Sequence, residues 1–313
     1  MRQMTPRERA ITALSLKQPD EVPTWEAVFF ATKEAFGEEF VPAQNWADLT
    51  PAERDAAADH NARLYLKIAE RYNYTIIFEN FAATGEHSMA IAKRIRRLVG
   101  DRYLLVRHGD CTYGIPDGSW MEAFFVSLFE KPDEMKQQAA NNVKNALEGN
   151  KVFLDNGFDG FALCSDYCFN KGPFLSPPMF REFVTEYLQR LIAGYRKMGA
   201  WVIKHTDGNI MPILDQLVEC EPHALHSLDP MAGVDIAEVK RLVGHKVCLM
   251  GNVDCSKMQT GTEAEVIASA EYAIRSGKPG GGYFFSTSNC VFPGLPLARY
   301  ELMMTVHEKH KMY

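Results

Sequence analysis

The sequence has no run of eighteen apolar residues, no Cys-x-x-Cys pair and no basic block that could follow a phosphate backbone. The first absence leaves nothing that reads as a membrane span or a signal peptide, and the opening MRQMTPRERAITALS alternates charged with apolar positions. The second goes with an odd total of seven cysteines, at 111, 164, 168, 220, 248, 255 and 290, several of them inside apolar runs. That usage fits a reducing compartment, and a cytoplasmic protein is expected. The third excludes a footprint for a phosphate backbone: 34 Lys and Arg stand against 40 Asp and Glu, for a net charge of −6, so nucleic acid is not an expected partner. GKPGGGY holds three consecutive glycines but lacks the spacing of a phosphate loop, and reads as a turn.

What is present is a long chain with a regular pattern. Its 313 residues suffice to bury about three quarters of the unfolded surface, so the core needs neither disulfide nor structural metal, and a metal here would serve chemistry. Thr5, Pro6 and the apolar spacing of RERAITALSL predict an opening helix. Residues from Val22 to about Ala58 are rich in aromatics and broken by Pro23, Pro42 and Pro51, which predicts loops and short helices. From Tyr74 onward, YTIIFEN, YLLVRHG, FDGFALCSD, AWVIKHTDG, ALHSLDP, VCLMGNVD and GYFFSTSNC read as strands separated by amphipathic helical segments. The last helices are expected near 178–198, 210–220, 235–243, 262–276 and 296–310. Apolar strands alternating with helices predict a parallel sheet covered by helices, and this many units predict closure into a single (β/α)8 TIM-type barrel spanning 1–313, with residues 1–60 as an N-terminal helical and loop extension packed on it. The competing architecture is an open doubly wound sheet.

Reactive groups of such barrels lie where strands end at their carboxyl side. Here those ends carry Glu79 and Asn80, Asp166, His205 and Asp207, Asp229, Asn252 and Asp254, and Ser286 to Cys290. His205 and Asp207 are two apart, so an extended strand points both to one side, as two ligands of one metal require. Cys290 ends the last strand, and nitrogen, carboxylate and thiolate together make a catalytic zinc set with an open position. The other readings are ordinary ones: Asp229 and Asp254 as helix caps, Cys111, Cys164, Cys168, Cys220 and Cys248 as buried apolar residues, and Asp166 as either a substrate carboxylate or a loop cap.

The order and spacing of RERAITALSLKQPDEVP, TIIFEN, FDGFALCSD, KHTDGN, PHALHSLDP, VCLMGNVD and PGGGYFFSTSNC resemble the uroporphyrinogen decarboxylase superfamily, which includes zinc-dependent, corrinoid-linked methyltransferases. The decarboxylases carry an arginine-rich substrate segment and an aspartate after the IIF strand. This chain has no arginine between Val22 and Ala52, and Glu79 and Asn80 take the aspartate's place. The methyltransferase branch carries His-x-Cys where this chain has His205 and Asp207, with a further cysteine at the place of Cys290. The resemblance therefore implies zinc held by His205, Asp207 and Cys290, with Glu79 and Asp166 orienting the donor or supplying an extra carboxylate ligand when no substrate is present. Replacing a thiolate by a carboxylate hardens the metal and favours an oxygen-bound methyl group, an aryl methyl ether first. No corrinoid-binding Asp-x-His-x-x-Gly occurs, so a separate corrinoid carrier protein is the implied partner, and pairing into a homodimer is a further implication of the resemblance. Cofactor-free decarboxylation and methylcorrinoid:thiol transfer are the alternative activities, and a non-catalytic corrinoid-partner module is a third class. Trp25, Phe29, Phe30, Phe36 and Phe40 either line an apolar donor pocket or belong to the core.

Overall fold

A computed structural model describes residues 3–41, 43–82 and 84–313. Pro42, one of the breaks read above, lies outside them. Among the described residues, seven parallel strands form one sheet: β1 (Ile76–Glu79), β2 (Leu104–His108), β3 (Gly160–Leu163), β6 (Trp201–Thr206), β7 (Ala224–Ser227), β8 (Cys248–Val253) and β9 (Tyr283–Thr287), paired in that order. A short antiparallel hairpin, β4 (Cys168–Phe169) with β5 (Gly172–Pro173), follows β3. Each of the seven falls within a run read as a strand from sequence. The later helices, among them Glu186–Lys197, Ile236–Val243, Glu263–Gly277 and Leu297–His310, lie close to their expected places.

The eighth place in the barrel is filled by irregular backbone from the region read as an extension. Thr24 bridges in parallel to both Tyr74 and Phe285. The amide of Thr75 donates to Thr24 O at 3.0 Å and that of Phe285 to Pro23 O at 2.9 Å. The chain near Thr24 thus joins the first strand to the last. The same region also holds the long helix Pro51–Arg71, opened by Thr50 in a capping box with Glu53.

Strand alternation divides the core in two. Ile76, Phe78, Leu104, Val106, Ala162, Ile203, Ala224, Met250 and Phe284 fill the barrel interior together with Trp25 and Ala27. Their neighbours Ile77, Leu105, Phe161, Val202, Leu225, Leu249 and Phe285 face the helices instead. Helix Pro6–Leu14 joins the interior cluster through Ala10, Ala13 and Leu14. The N-terminal aromatics divide between core and rim: Trp25, Phe29 and Phe40 are buried while Phe30 is exposed. Phe40 stacks on Phe81 with centroids 4.2 Å apart, and the cavity left among these rings is about 20 Å³. That volume holds about one water and no aryl ring.

Candidate metal centre at the barrel mouth

The two-residue period that sorts the core also sorts the polar strand ends. His205 is two residues beyond the inward-facing Ile203 and so faces the interior, whereas Lys204 shares the outward face with Val202. Asp207 follows just past the end of β6, and Asp166 lies in the turn after β3. One oxygen from each carboxylate and one ring nitrogen of His205 all lie within 4.8 Å of one another. His205 Nε2 is 3.7 Å from Asp166 Oδ1 and 3.8 Å from Asp207 Oδ1.

The surrounding contacts fix each member. Asp166 Oδ1 accepts the Asp207 amide at 3.0 Å, while the Asn289 side-chain amide donates to Asp207 Oδ2. His205 Nδ1 meets His226 Nδ1 at 2.8 Å. His226 is in register with His205 across the β6–β7 pair and is held edge-on by Trp25, with ring centroids 5.2 Å apart. With Nδ1 engaged, Nε2 is the atom His205 turns toward the two carboxylates. His226 is absent from the strand ends read from sequence, and Asn289 falls within the Ser286 to Cys290 end without a role of its own. Their signal was a histidine inside an otherwise apolar strand and an asparagine beside Cys290.

The electrostatics of this group are unfavourable as it stands. Burial, reinforced by the charge of Asp166, pushes the Asp207 carboxyl up to about 7. Burial also holds the His205 imidazole below its ordinary value, in spite of Asp166. Asp207 Oδ1 is buried without a hydrogen-bond partner. A neutral imidazole nitrogen, two carboxylates and an orphaned buried oxygen pointing into one small volume fit a divalent cation, and zinc accepts this N/O donor set.

The remaining candidates are placed differently. Cys290 packs against the interior cluster and is not in the group within 4.8 Å; burial pushes its thiol up to about 12. Glu79 shares its face with Ile77, on the helix side of the sheet. Its carboxylate accepts the amides of Phe81 at 3.1 Å and Ala82 at 2.9 Å, as well as the Ser88 hydroxyl, and it is not in that group either. Asp229 caps the turn Pro230–Ala232 and Asp254 caps the helix Cys255–Thr260. Asn252 donates to Leu228 O at 2.9 Å.

Asp207 also lines an open cavity of about 320 Å³. Ser256, Gln259, Ser288 and Asn289 give it uncharged hydrogen-bonding groups; Met231 and Phe292 give it an apolar wall; Asp229 is its second carboxylate. The volume is at the lower end of the roughly 300–1,000 Å³ usual for small-ligand sites.

Known proteins agree with this architecture. Over its whole length the fold resembles a methyltransferase from Methanosarcina mazei, with a TM-score of 0.76 at 16% identity, covering 98% of this chain and 99% of that one. It is more distantly similar to a B12-independent methionine synthase from Shewanella sp. W3-18-1, with a TM-score of 0.54 at 12% identity, covering 83% of this chain and 88% of that one. In sequence, 45% of the chain matches uroporphyrinogen decarboxylases of Thioalkalivibrio sulfidiphilus, 29% identical over 150 residues, and Shewanella pealeana, 29% identical over 153. The match spans only 39% and 40% of the length of those relatives. The family model for uroporphyrinogen decarboxylase (URO-D) matches residues 118–310, the stretch that supplies Asp166, His205, Asp207 and Asn289, and the chain belongs to that family.

Proposed function

We propose that this family member is a zinc-dependent methyltransferase that moves a methyl group from a small methoxylated donor, an aryl methyl ether first, to a corrinoid carried on a separate protein. The observation that carries the reading is the group of Asp166, His205 and Asp207, whose member Asp207 lines a 320 Å³ cavity. Zinc held by these three residues supplies a Lewis acid beside the cavity, where the leaving oxygen of a methyl ether gains negative charge. The protein's own part is placement. His226 keeps the His205 ring turned, Asn289 keeps Asp207 turned, and the Asp207 amide ties Asp166 to the end of β6. Ser288 and Ser256 offer hydroxyls to the donor, and Phe292 offers a ring face.

The whole-length likeness to the Methanosarcina mazei methyltransferase supports this reading. The exposed apolar side chains Phe30, Trp120, Phe169 and Met231 stand on segments that leave the carboxyl ends of the strands, where a carrier presenting its corrinoid would make contact. Kinship with the decarboxylases favours a second reading, cofactor-free decarboxylation. Two carboxylates at the centre of the site weigh against a polycarboxylate substrate.

Elemental analysis of protein purified without a histidine tag tests the reading. One zinc per chain is expected, lost in His205→Ala and Asp166→Ala while the fold persists, together with zinc-dependent methylation of a Co(I) corrinoid protein by 2-methoxyphenol. No zinc after supplementation would move decarboxylation to first place. His226→Phe is expected to weaken zinc binding by about 10–100-fold, measured by competition with a chelating dye, and an unchanged affinity would remove the orienting role given to His226.

A further inference from the structure

We propose that the cavity beside Asp207 admits uncharged or cationic methoxylated donors and rejects carboxylates, with Asp229 as the residue that sets the preference. The ligand class rests on the methyltransferase reading. The charge preference rests on the cavity itself.

Among the described residues, the groups lining this cavity include two carboxylates, Asp207 and Asp229, and no lysine or arginine. The nearest cations in sequence are committed elsewhere. Lys257 Nζ reaches Glu265 Oε1 at 3.4 Å, Arg299 donates to the carbonyls of Lys257 and Gly261, and Lys204 lies on the helix side of β6, bound to Asp110 at 3.0 Å. A divalent ion held by Asp166, His205 and Asp207 cancels two negative charges and leaves Asp229 uncancelled. The position of Asp229 is fixed, because its Oδ1 accepts the Met231 amide at 2.9 Å as the cap of the turn after β7. A carboxylated donor entering here gives up water to face a fixed like charge, with no lysine or arginine in the lining to pair with. A phenol, an ether or a primary amide meets Ser256, Gln259, Ser288 and Asn289, each able to donate or accept a hydrogen bond. Nothing in the lining needs a negative partner.

4-Hydroxy-3-methoxybenzamide and 4-hydroxy-3-methoxybenzoate have nearly equal shape and separate charge from size, and the smaller 2-methoxyphenol is the third probe. Calorimetric titration of the full chain, both zinc-free and zinc-loaded, should show the amide and the phenol binding and the benzoate at least about tenfold weaker than the amide. Asp229→Asn, which keeps a capping side chain, should narrow the gap between benzoate and amide to within about threefold. A benzoate that binds the wild type as tightly as the amide, or a gap unchanged in Asp229→Asn, overturns the assignment, and so does failure of all three probes to bind. If the amide is preferred and Asp229→Asn removes the preference, but no methyl reaches the corrinoid, the transfer reaction fails while this inference stands.

Discussion

Lys204→Met will destabilise the metal-free protein by about 3–5 kcal/mol, the cost of leaving a buried charge without its partner. Lys204 is fully buried on the outward face of β6. Its ammonium donates to Asp110 Oδ2 at 3.0 Å, to Ser165 O at 2.8 Å and to Leu163 O at 3.3 Å, and it lies 3.9 Å from the centroid of the Tyr167 ring. Burial alone raises the Asp110 carboxyl; the charge of Lys204, with donors from Thr112 and Ser165, reverses that and brings it to about 2. Methionine fills the same space and removes the charge, so Asp110 is left buried and ionised or forced to take up a proton. Urea unfolding at pH 7 measures the loss, and the double variant Lys204→Met with Asp110→Asn should recover a substantial part of it. A single-variant cost below about 1 kcal/mol would place the pair among those of little net worth.

The same lysine serves the site. The turn that presents Asp166 is held at Ser165, whose carbonyl binds Lys204 and whose amide donates to Asp110 Oδ2 at 2.9 Å. It is held again at Tyr167, whose amide donates to Thr206 Oγ1 at 2.8 Å. Strand β6 therefore turns His205 inward and uses its outward residue Lys204 to hold the turn bearing the neighbouring carboxylate. Lys204→Met should accordingly weaken zinc binding as well as stability.

These contacts mark where sequence reading reaches its limit. The pairing of His205 with Asp207 was legible because a two-residue period within one strand is local. Asp166 was legible as a polar strand end able to supply an extra carboxylate ligand, but its place beside His205 depends on the register of β3 on β6. His226 was missed because it becomes notable only when β6 and β7 are aligned and His205 falls opposite it. Glu79 has suitable chemistry at a strand end, but the parity that points His205 inward points Glu79 toward the helices. The helix Pro51–Arg71 carries the signal that identified the first one: Thr50, Pro51 and Glu53 repeat Thr5, Pro6 and Glu8, and both sets form capping boxes. Surrounding prolines and aromatics masked it. The closing segment near Thr24 has no strand period to read, because its pairing consists of isolated bridges.

That closing segment carries the second large effect. Glu26→Gln is expected to stabilise the protein at pH 9 by on the order of 3 kcal/mol, with the gain shrinking toward zero near pH 5. Glu26 is buried beside the last strand, where the Thr287 amide donates to Oε1 at 3.0 Å and the Thr287 hydroxyl to Oε2 at 2.6 Å. Burial outweighs these donors and raises the carboxyl from 4.5 to about 8. Between those values the folded chain keeps a proton that the unfolded chain has released, so wild-type stability falls as pH rises through this window and levels off above it. Glutamine is uncharged at every pH, retains an oxygen for the Thr287 amide, and escapes that fall. Urea unfolding of both proteins at pH 5, 7 and 9 measures the divergence. A glutamine variant less stable than wild type at pH 9 would mean instead that the carboxylate is ionised and well solvated by its donors. Since Thr287 directly precedes Ser288 and Asn289 of the cavity wall, the protonation state of Glu26 bears on the seam between the closing segment and β9, immediately before the chain enters the site.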